Sequence, residues 1–222
     1  MNEFEQNIKK LVDDGLVVIP NYPSTYYIEE KRGIPSYSWS KINKPIETLD
    51  LLDKIKKNGG CEIVELVCGI PSGGLICWDV DTKHKDGFGA IITNDIKTLY
   101  PDIWEKLRID KTPSGGLHIY YRIDSVGYGS EFPSGGNIAS RYTTEDERII
   151  KKDKTVCFLE LKAKSLLCRS FPSVGYKRVK ESCCDGGKLS ILSWEDHCCL
   201  FSQCQLYNEL IKKIHSQIRK AQ

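Results

Sequence analysis

PSGGLICWDVD, Pro71 to Asp81, sets an apolar run behind a proline–serine–glycine–glycine turn and closes it with two aspartates one residue apart. The same turn returns in PSGGLHIYY, Pro113 to Tyr121, where the run carries a histidine. Both runs are rich in aliphatic and aromatic residues and bounded by turn formers, which predicts strands. A third copy, Pro133 to Gly136, leads into NIASRY, which has no such pattern and reads as coincidence.

Upstream, FEQNIKKLVDDG places Phe4, Ile8, Leu11 and Val12 on one helical face, with Gly15 as its stop. LVVIP (Leu16 to Pro20) is a short buried strand, and Tyr22 to Ile42 is turn-rich and aromatic around KRGIPSYSW. ETLDLLDKIKKNGG is an amphipathic helix with Leu49, Leu52 and Ile55 on its apolar face and Gly59-Gly60 as its stop. CEIVELVCG (Cys61 to Gly69) is expected to pair with Gly74 to Asp81 as a hairpin. Phe88 to Leu107 is expected to be helical, with Asn94 as a cap and Pro101 as a break. In VCFLELK (Val156 to Lys162) alternation points Cys157, Leu159 and Leu161 one way, Phe158 and Glu160 the other. The last helix carries Leu206, Leu210, Ile214 and Ile218 at i, i+4 steps. No linker rich in Pro, Ser or Gly divides the chain. The reading is one α+β domain over residues 1–202, followed by an amphipathic helix or the start of a linker over 203–222.

With 222 residues, 40% hydrophobic and 28% charged, the chain can bury a proper core, a composition that argues against disorder. No run approaches the roughly 18 apolar residues of a membrane span, and MNEFEQNIKK is not a signal peptide. A cytoplasmic protein with no membrane association is expected. A net charge of +2 excludes a global basic signature. Basic residues do cluster locally, at Lys151, Lys152 and Lys154, at Lys162, Lys164 and Arg169, and along the C-terminal helix. The ten cysteines include no CxxC pair and several lie in apolar runs, which predicts reduced thiols acting as small core residues. Cys183, Cys184, His197, Cys198, Cys199 and Cys204 are zinc-ligand types without knuckle spacing.

Period-2 geometry puts Asp79 and Asp81 on one strand face, with Val80 in the core. Two carboxylates so close repel unless a cation lies between them, and hard divalent metals suit oxygen ligands; a strand ending in solvated aspartates is the alternative. His118 follows a Gly-Gly turn that leaves backbone N–H groups open to an anion; the alternative is a structural histidine. Glu160 and Lys162 share one face of a further strand. If these strands are neighbours, the set suits two-metal phosphoryl transfer.

In order, Gly69, Ser72, Gly73, Gly74, Asp79 and Asp81; then Thr112 to Gly116 with His118, Tyr120 and Tyr121; then Glu160 and Lys162; and then Pro172, Ser173, Gly175 and Tyr176 resemble the motifs of the bifunctional primase–polymerase domains of the archaeo-eukaryotic primase superfamily. The likeness runs from about Phe4 to Tyr176, more loosely at Gly15, Pro35 and Trp39. It departs at AKSLLCRSF, where the family often has a glycine-rich loop. The resemblance implies a catalytic core in which an RRM-like antiparallel sheet packs beside a smaller α/β unit. It implies Mg²⁺ or Mn²⁺ on Asp79, Asp81 and Glu160, and nucleotide phosphates held by His118, with Ser72, Gly73, Ser114, Gly115, Gly116 and Lys162 around them. A single-stranded DNA template, ribo- or deoxyribonucleoside triphosphates and a replicative helicase are the implied partners, with plasmids, phages and large DNA viruses as the setting. On this view the first two Pro-Ser-Gly-Gly turns approach one nucleotide from adjacent strands.

Two other classes use parts of the same set. A metal-dependent nuclease or sugar-nucleotide transferase uses D-x-D but leaves the T-P-S-G-G-x-H strand unexplained. A non-catalytic single-strand-binding module would stack bases on Tyr120 and Tyr121. A rolling-circle initiator needs a His-hydrophobe-His pair that none of the four histidines supplies.

Overall fold

The computed structural model describes residues 1–21, 44–57, 61–82, 87–124, 132–142, 155–164, 166–183 and 188–221. The aromatic segment with Pro35 and Trp39, the Gly59-Gly60 stop, the cluster Lys151, Lys152 and Lys154, and Cys184 lie outside them. Asn2 accepts from the Glu5 N–H at 2.9 Å and starts α1 (Glu3–Asp13), whose Ile8, Leu11 and Val12 turn inward. β1 (Val18–Asn21), α2 (Glu47–Lys57) and β2 (Ile63–Val67) follow, and a 3-10 turn over Ile70–Ser72 delivers β3 (Leu75–Val80). Next come α3 (Phe88–Leu99), α4 (Pro101–Lys106), β4 (Arg108–Lys111), β5 (Leu117–Ile123), β6 (Gly136–Tyr142) and β7 (Thr155–Lys162). Then β8 (Leu167–Arg169), β9 (Lys177–Lys180), β10 (Ile191–Leu192) and α5 (Trp194–Ala221) close an α+β fold with five α-helices among the described residues.

β1, β2 and β8 form a three-stranded antiparallel sheet. The other seven strands form a second sheet in the order β6-β7-β3-β5-β4-β9, with β10 added in parallel beside β5. β3 lies in the middle, buried on both faces as far as Asp79, which is why its sequence from Leu75 to Trp78 is a continuous apolar run rather than an alternation. Ile76, Trp78 and Val80 enter a core shared with α3, α4 and α5, while Leu75 and Cys77 enter a second core shared with α1 and the small sheet.

Several sequence expectations need correction. β2 and β3 are not a hairpin: they belong to different sheets, and the one backbone bridge between their ends among the described residues is Gly69–Leu75. The turn between them sends the chain across the interface between the sheets. Asn94 is no cap but lies inside α3, which starts after Gly87; the expected break at Pro101 is present, α3 ending at Leu99 and Pro101 opening α4. Phe158 joins Leu159 and Leu161 in one core, because β7 pairs with β6 through shifts of register that break the alternation. NIASRY does form a strand, β6; it is an irregular edge strand, so its pattern is weak. α5 runs unbroken through residue 202. Its packed face is Leu200, Cys204 and Tyr207, whereas Leu206 and Leu210 are exposed. No described helix is long and apolar enough to cross a membrane.

His197 fastens α5 to the main sheet. Trp78 Nε1–H donates to the Tyr121 hydroxyl at 2.9 Å, and that hydroxyl donates to His197 Nδ1 at 2.8 Å. The ring lies between Trp194 and Phe201, and burial pushes its pKa down to about 4. The unfolded chain binds this proton below its ordinary value of 6.5 while the folded protein does not until about 4. The neutral-ring contribution is therefore complete above that ordinary value and is lost as pH falls toward 4. Denaturant titrations across this window should show wild type losing on the order of 3 kcal/mol more than His197→Gln. Parallel pH profiles for the two proteins would disprove the assignment.

Candidate functional site

Antiparallel pairing sets partner residues on a common face, and the register of the main sheet aligns five polar side chains in one row. Asn137 on β6 lies opposite Glu160 on β7, Glu160 opposite Asp79 on β3, Asp79 opposite His118 on β5, and His118 opposite Asp110 on β4. The next row on the same face holds Lys162, Cys77, Tyr120 and Arg108. The small sheet covers Cys77 and Tyr120 but stops short of Asp79 and Glu160, whose side chains are 31% and 30% exposed. The acids therefore occupy the open end of a strand that is otherwise closed on both faces.

His118 is buried and held from both sides. Nδ1–H donates to the Arg169 carbonyl at 2.8 Å, and Nε2 lies 3.2 Å from Asp79 Oδ1. With an acceptor at each nitrogen the ring carries both protons. Burial alone opposes this charge; the neighbouring Cys168 sulfur and the Asp79 carboxylate reverse it and hold the pKa well above the ordinary histidine range. Glu160 Oε2 lies 2.6 Å from Lys162 Nζ, and this contact, with Asp79 beyond it, raises the lysine pKa against its burial. The Cys157 thiol is pushed up to about 11, first by burial and then by the carboxylates of Glu160, Asp79 and Asp81, so one thiol feels all three acids. The Tyr176 ring lies 5.6 Å from that of His118.

The donor chemistry of Asp79, Asp81 and Glu160, all carboxylate oxygens at a half-exposed strand end, suits a hard divalent cation. The three do not bring oxygens within 4.8 Å of one another as a set. Asp79 leans on His118 and Glu160 on Lys162. The group that does meet that distance among the described residues is Cys77, His118 and Cys168, at the junction of the two sheets. Asp110, at the end of the row, is fully buried; it accepts from Ser170 Oγ at 3.0 Å and Phe171 N–H at 3.2 Å and pairs with Arg178.

The two glycine turns separate. Ser114, Gly115 and Gly116 form the tight turn between β4 and β5, beside Thr82 and Val80, and so lie at the acidic end of β3. Ser114 and Gly115 line a cavity of about 440 Å³ with Lys111, Thr82 and the start of α3. Ser72 and Gly73 precede β3 and lie at its other end, roughly 20 Å from Asp79 at strand rise. Ser72 is fully buried, and its Oγ accepts from the Val17 N–H at 2.8 Å. The expectation that both turns approach one nucleotide is thereby corrected: antiparallel neighbours present their preceding turns at opposite ends.

Tyr120 and Tyr121 are also withdrawn, at 1% and 0% exposure, so neither offers a face for stacking a base. Among the described residues of the cysteine-rich tail no group converges: Cys183, Cys198 and Cys199 are exposed, Cys204 is in the core, and His197 is bound to Tyr121. Asn137, Asp110, Cys168 and the Arg169 carbonyl escape sequence reasoning, because only strand register puts them beside the acids. No protein-family model matches the chain, and no curated protein matches it either.

Ser72→Ala should cost about 1–2 kcal/mol in denaturant stability by stranding the buried Val17 N–H. Ser114→Ala, on an exposed turn, should stay within about 0.5 kcal/mol of wild type. Equal losses in the two variants would refute this division of the turns.

Proposed function

We propose that the chain is a template-directed nucleotidyltransferase of the primase–polymerase kind, with a primase-like core built on the seven-stranded sheet. The observation that carries this reading is the row Glu160–Asp79–His118 at the open end of β3, flanked by Asp81, Lys162 and the Ser114–Gly116 turn. An acid set next to a cationic histidine and a lysine suits a triphosphate, whose negative charge needs both metal and protein cations. The order of motifs along the chain supports the same class.

Asp79, Asp81 and Glu160 would hold Mg²⁺ or Mn²⁺, which when bound supplies charge stabilisation to the attacking and leaving oxygens. His118, oriented by the Arg169 carbonyl, donates from Nε2 to a phosphate oxygen of the incoming nucleotide in place of Asp79. Lys162, released from Glu160, balances charge on the departing pyrophosphate. The turn N–H groups at Ser114 to Gly116 position the phosphates. A 3′-hydroxyl then attacks the α-phosphate, and the protein contributes positioning and electrostatics rather than covalent chemistry. Single-stranded DNA is the template, nucleoside triphosphates are the substrates, and a replicative helicase is the expected partner. The burial of Tyr120 and Tyr121 counts against the rival single-strand-binding module, which needs them exposed.

Incorporation of labelled nucleotide on single-stranded DNA, with and without a primer, tests the reading. Asp79→Asn and Glu160→Gln should each reduce incorporation by about 100-fold or more with far-ultraviolet circular dichroism unchanged; chelation should abolish it in wild type. Folded wild-type protein that incorporates nothing with either metal, or mutants at wild-type rates, would overturn the assignment.

A further inference from the structure

Cys77 lies on the central strand β3 and Cys168 on β8, the edge of the small sheet, 91 residues apart in the chain. Across the junction their sulfurs stand 3.1 Å apart, closer than ordinary non-bonded sulfurs pack, and both residues are almost wholly buried. Cys168 Sγ also lies 3.3 Å from His118 Nδ1. Two thiols held in contact by two separate sheets need close by only about 1 Å for a bond between them.

A soft metal is the other chemistry such a trio invites. It would need the Nδ1 lone pair of His118, but that nitrogen carries a proton donated to the Arg169 carbonyl at 2.8 Å. Metal binding would break this bond and turn the ring; joining the sulfurs leaves it in place.

We propose that Cys77 and Cys168 are a redox-sensitive dithiol that peroxide converts to a disulfide cross-linking the two sheets beneath the candidate site. The balance is two thiols and one hydrogen peroxide giving one disulfide and two waters. Cys168 sulfur attacks a peroxide oxygen, the O–O bond breaks, and the departing hydroxide takes the thiol proton as the first water. Cys77 sulfur then attacks the resulting sulfenic acid, forming the S–S bond and expelling the oxygen, with the second thiol proton, as the second water. Both sulfurs are oxidised and the peroxide is reduced. Enforced proximity makes the second step fast relative to reaction with any thiol in solution. The bond would join the strand carrying Asp79 to the strand whose Arg169 carbonyl orients His118, fixing the spacing of those two groups.

The test is chemical and stands whether or not the chain polymerises nucleotides. Reduced protein is exposed to graded hydrogen peroxide, unfolded in alkylating reagent, digested without reductant and weighed by mass spectrometry. The expected product is a pair of peptides containing Cys77 and Cys168, lighter than their sum by two hydrogen atoms and separated by dithiothreitol. In Cys77→Ser the reaction should stop at the sulfenic acid of Cys168, trapped by dimedone. The proposal fails if Cys77 and Cys168 are recovered alkylated at doses that oxidise the exposed Cys183, Cys198 and Cys199, or if they link only to other cysteines.

Discussion

Strand register is the constraint on which the site depends. The side-chain period of a strand is two, so slipping β3 by one residue against β5 and β7 would send Asp79 into the helical core and Trp78 toward the solvent end. The cores forbid that slip. Trp78, Ile76 and Val80 pack in the core with α3, α4 and α5, and Cys77 and Leu75 in the core with α1 and the small sheet. The packing that stabilises the fold therefore also aligns Glu160, Asp79 and His118, and the polar row needs no interaction of its own to locate it.

Alignment of this kind has an electrostatic cost. Carboxylates directly opposite on neighbouring strands have Cβ atoms about 5 Å apart, and at an effective dielectric of about 20 two such charges repel by roughly 3 kcal/mol. That is comparable to a large single-residue effect on a domain of this size, and the protein offsets it locally. His118 faces Asp79, Lys162 faces Glu160, and at the end of the row Arg178 with Ser170 and the Phe171 N–H absorbs the charge of Asp110. Asp110 is closed off by these partners and the small-sheet connection. Asp79 and Glu160 remain half-exposed with partners that can be exchanged, and for that reason the open end rather than the buried one is read as the working site.

Much of the architecture was legible in the sequence because it rests on local pattern: α1, α2, β3, β5 and the strand character of β7 follow from periodicity, and Asp79, His118 and Glu160 from polar letters in apolar strands. What failed is non-local. Nothing between Cys61 and Asp81 indicates that its two strands enter different sheets. The packed face of α5 is set by what the sheet offers it, so Leu200, Cys204 and Tyr207 win over a cleaner leucine stripe at Leu206 and Leu210. Asn137 and Cys168 were invisible as site neighbours because their partners are fixed by register across the molecule.

The repeated Pro-Ser-Gly-Gly turn has a structural explanation that a common ligand does not supply. A Cβ on Gly74 would sit 1.9 Å from the Ile123 carbonyl oxygen of β5, and one on Gly116 would sit 2.5 Å from the Val80 carbonyl oxygen of β3. Each glycine is thus the point where an entering strand presses its backbone against the end of a neighbour, an approach no side chain permits. The third copy does not repeat the device: a Cβ on Gly136, the position equivalent to Gly74 and Gly116, would meet open space, and it is Gly135 that lies against the Leu161 carbonyl of β7, at 2.8 Å. The first two turns therefore solve the same problem of bringing a strand into the central sheet at close range. Under the proposed function only the Ser114 copy would meet a ligand, because its strand enters at the end where Asp79 emerges from cover; recurrence reports how the sheet is assembled, and position along the neighbouring strand sets which turn lies beside the acids.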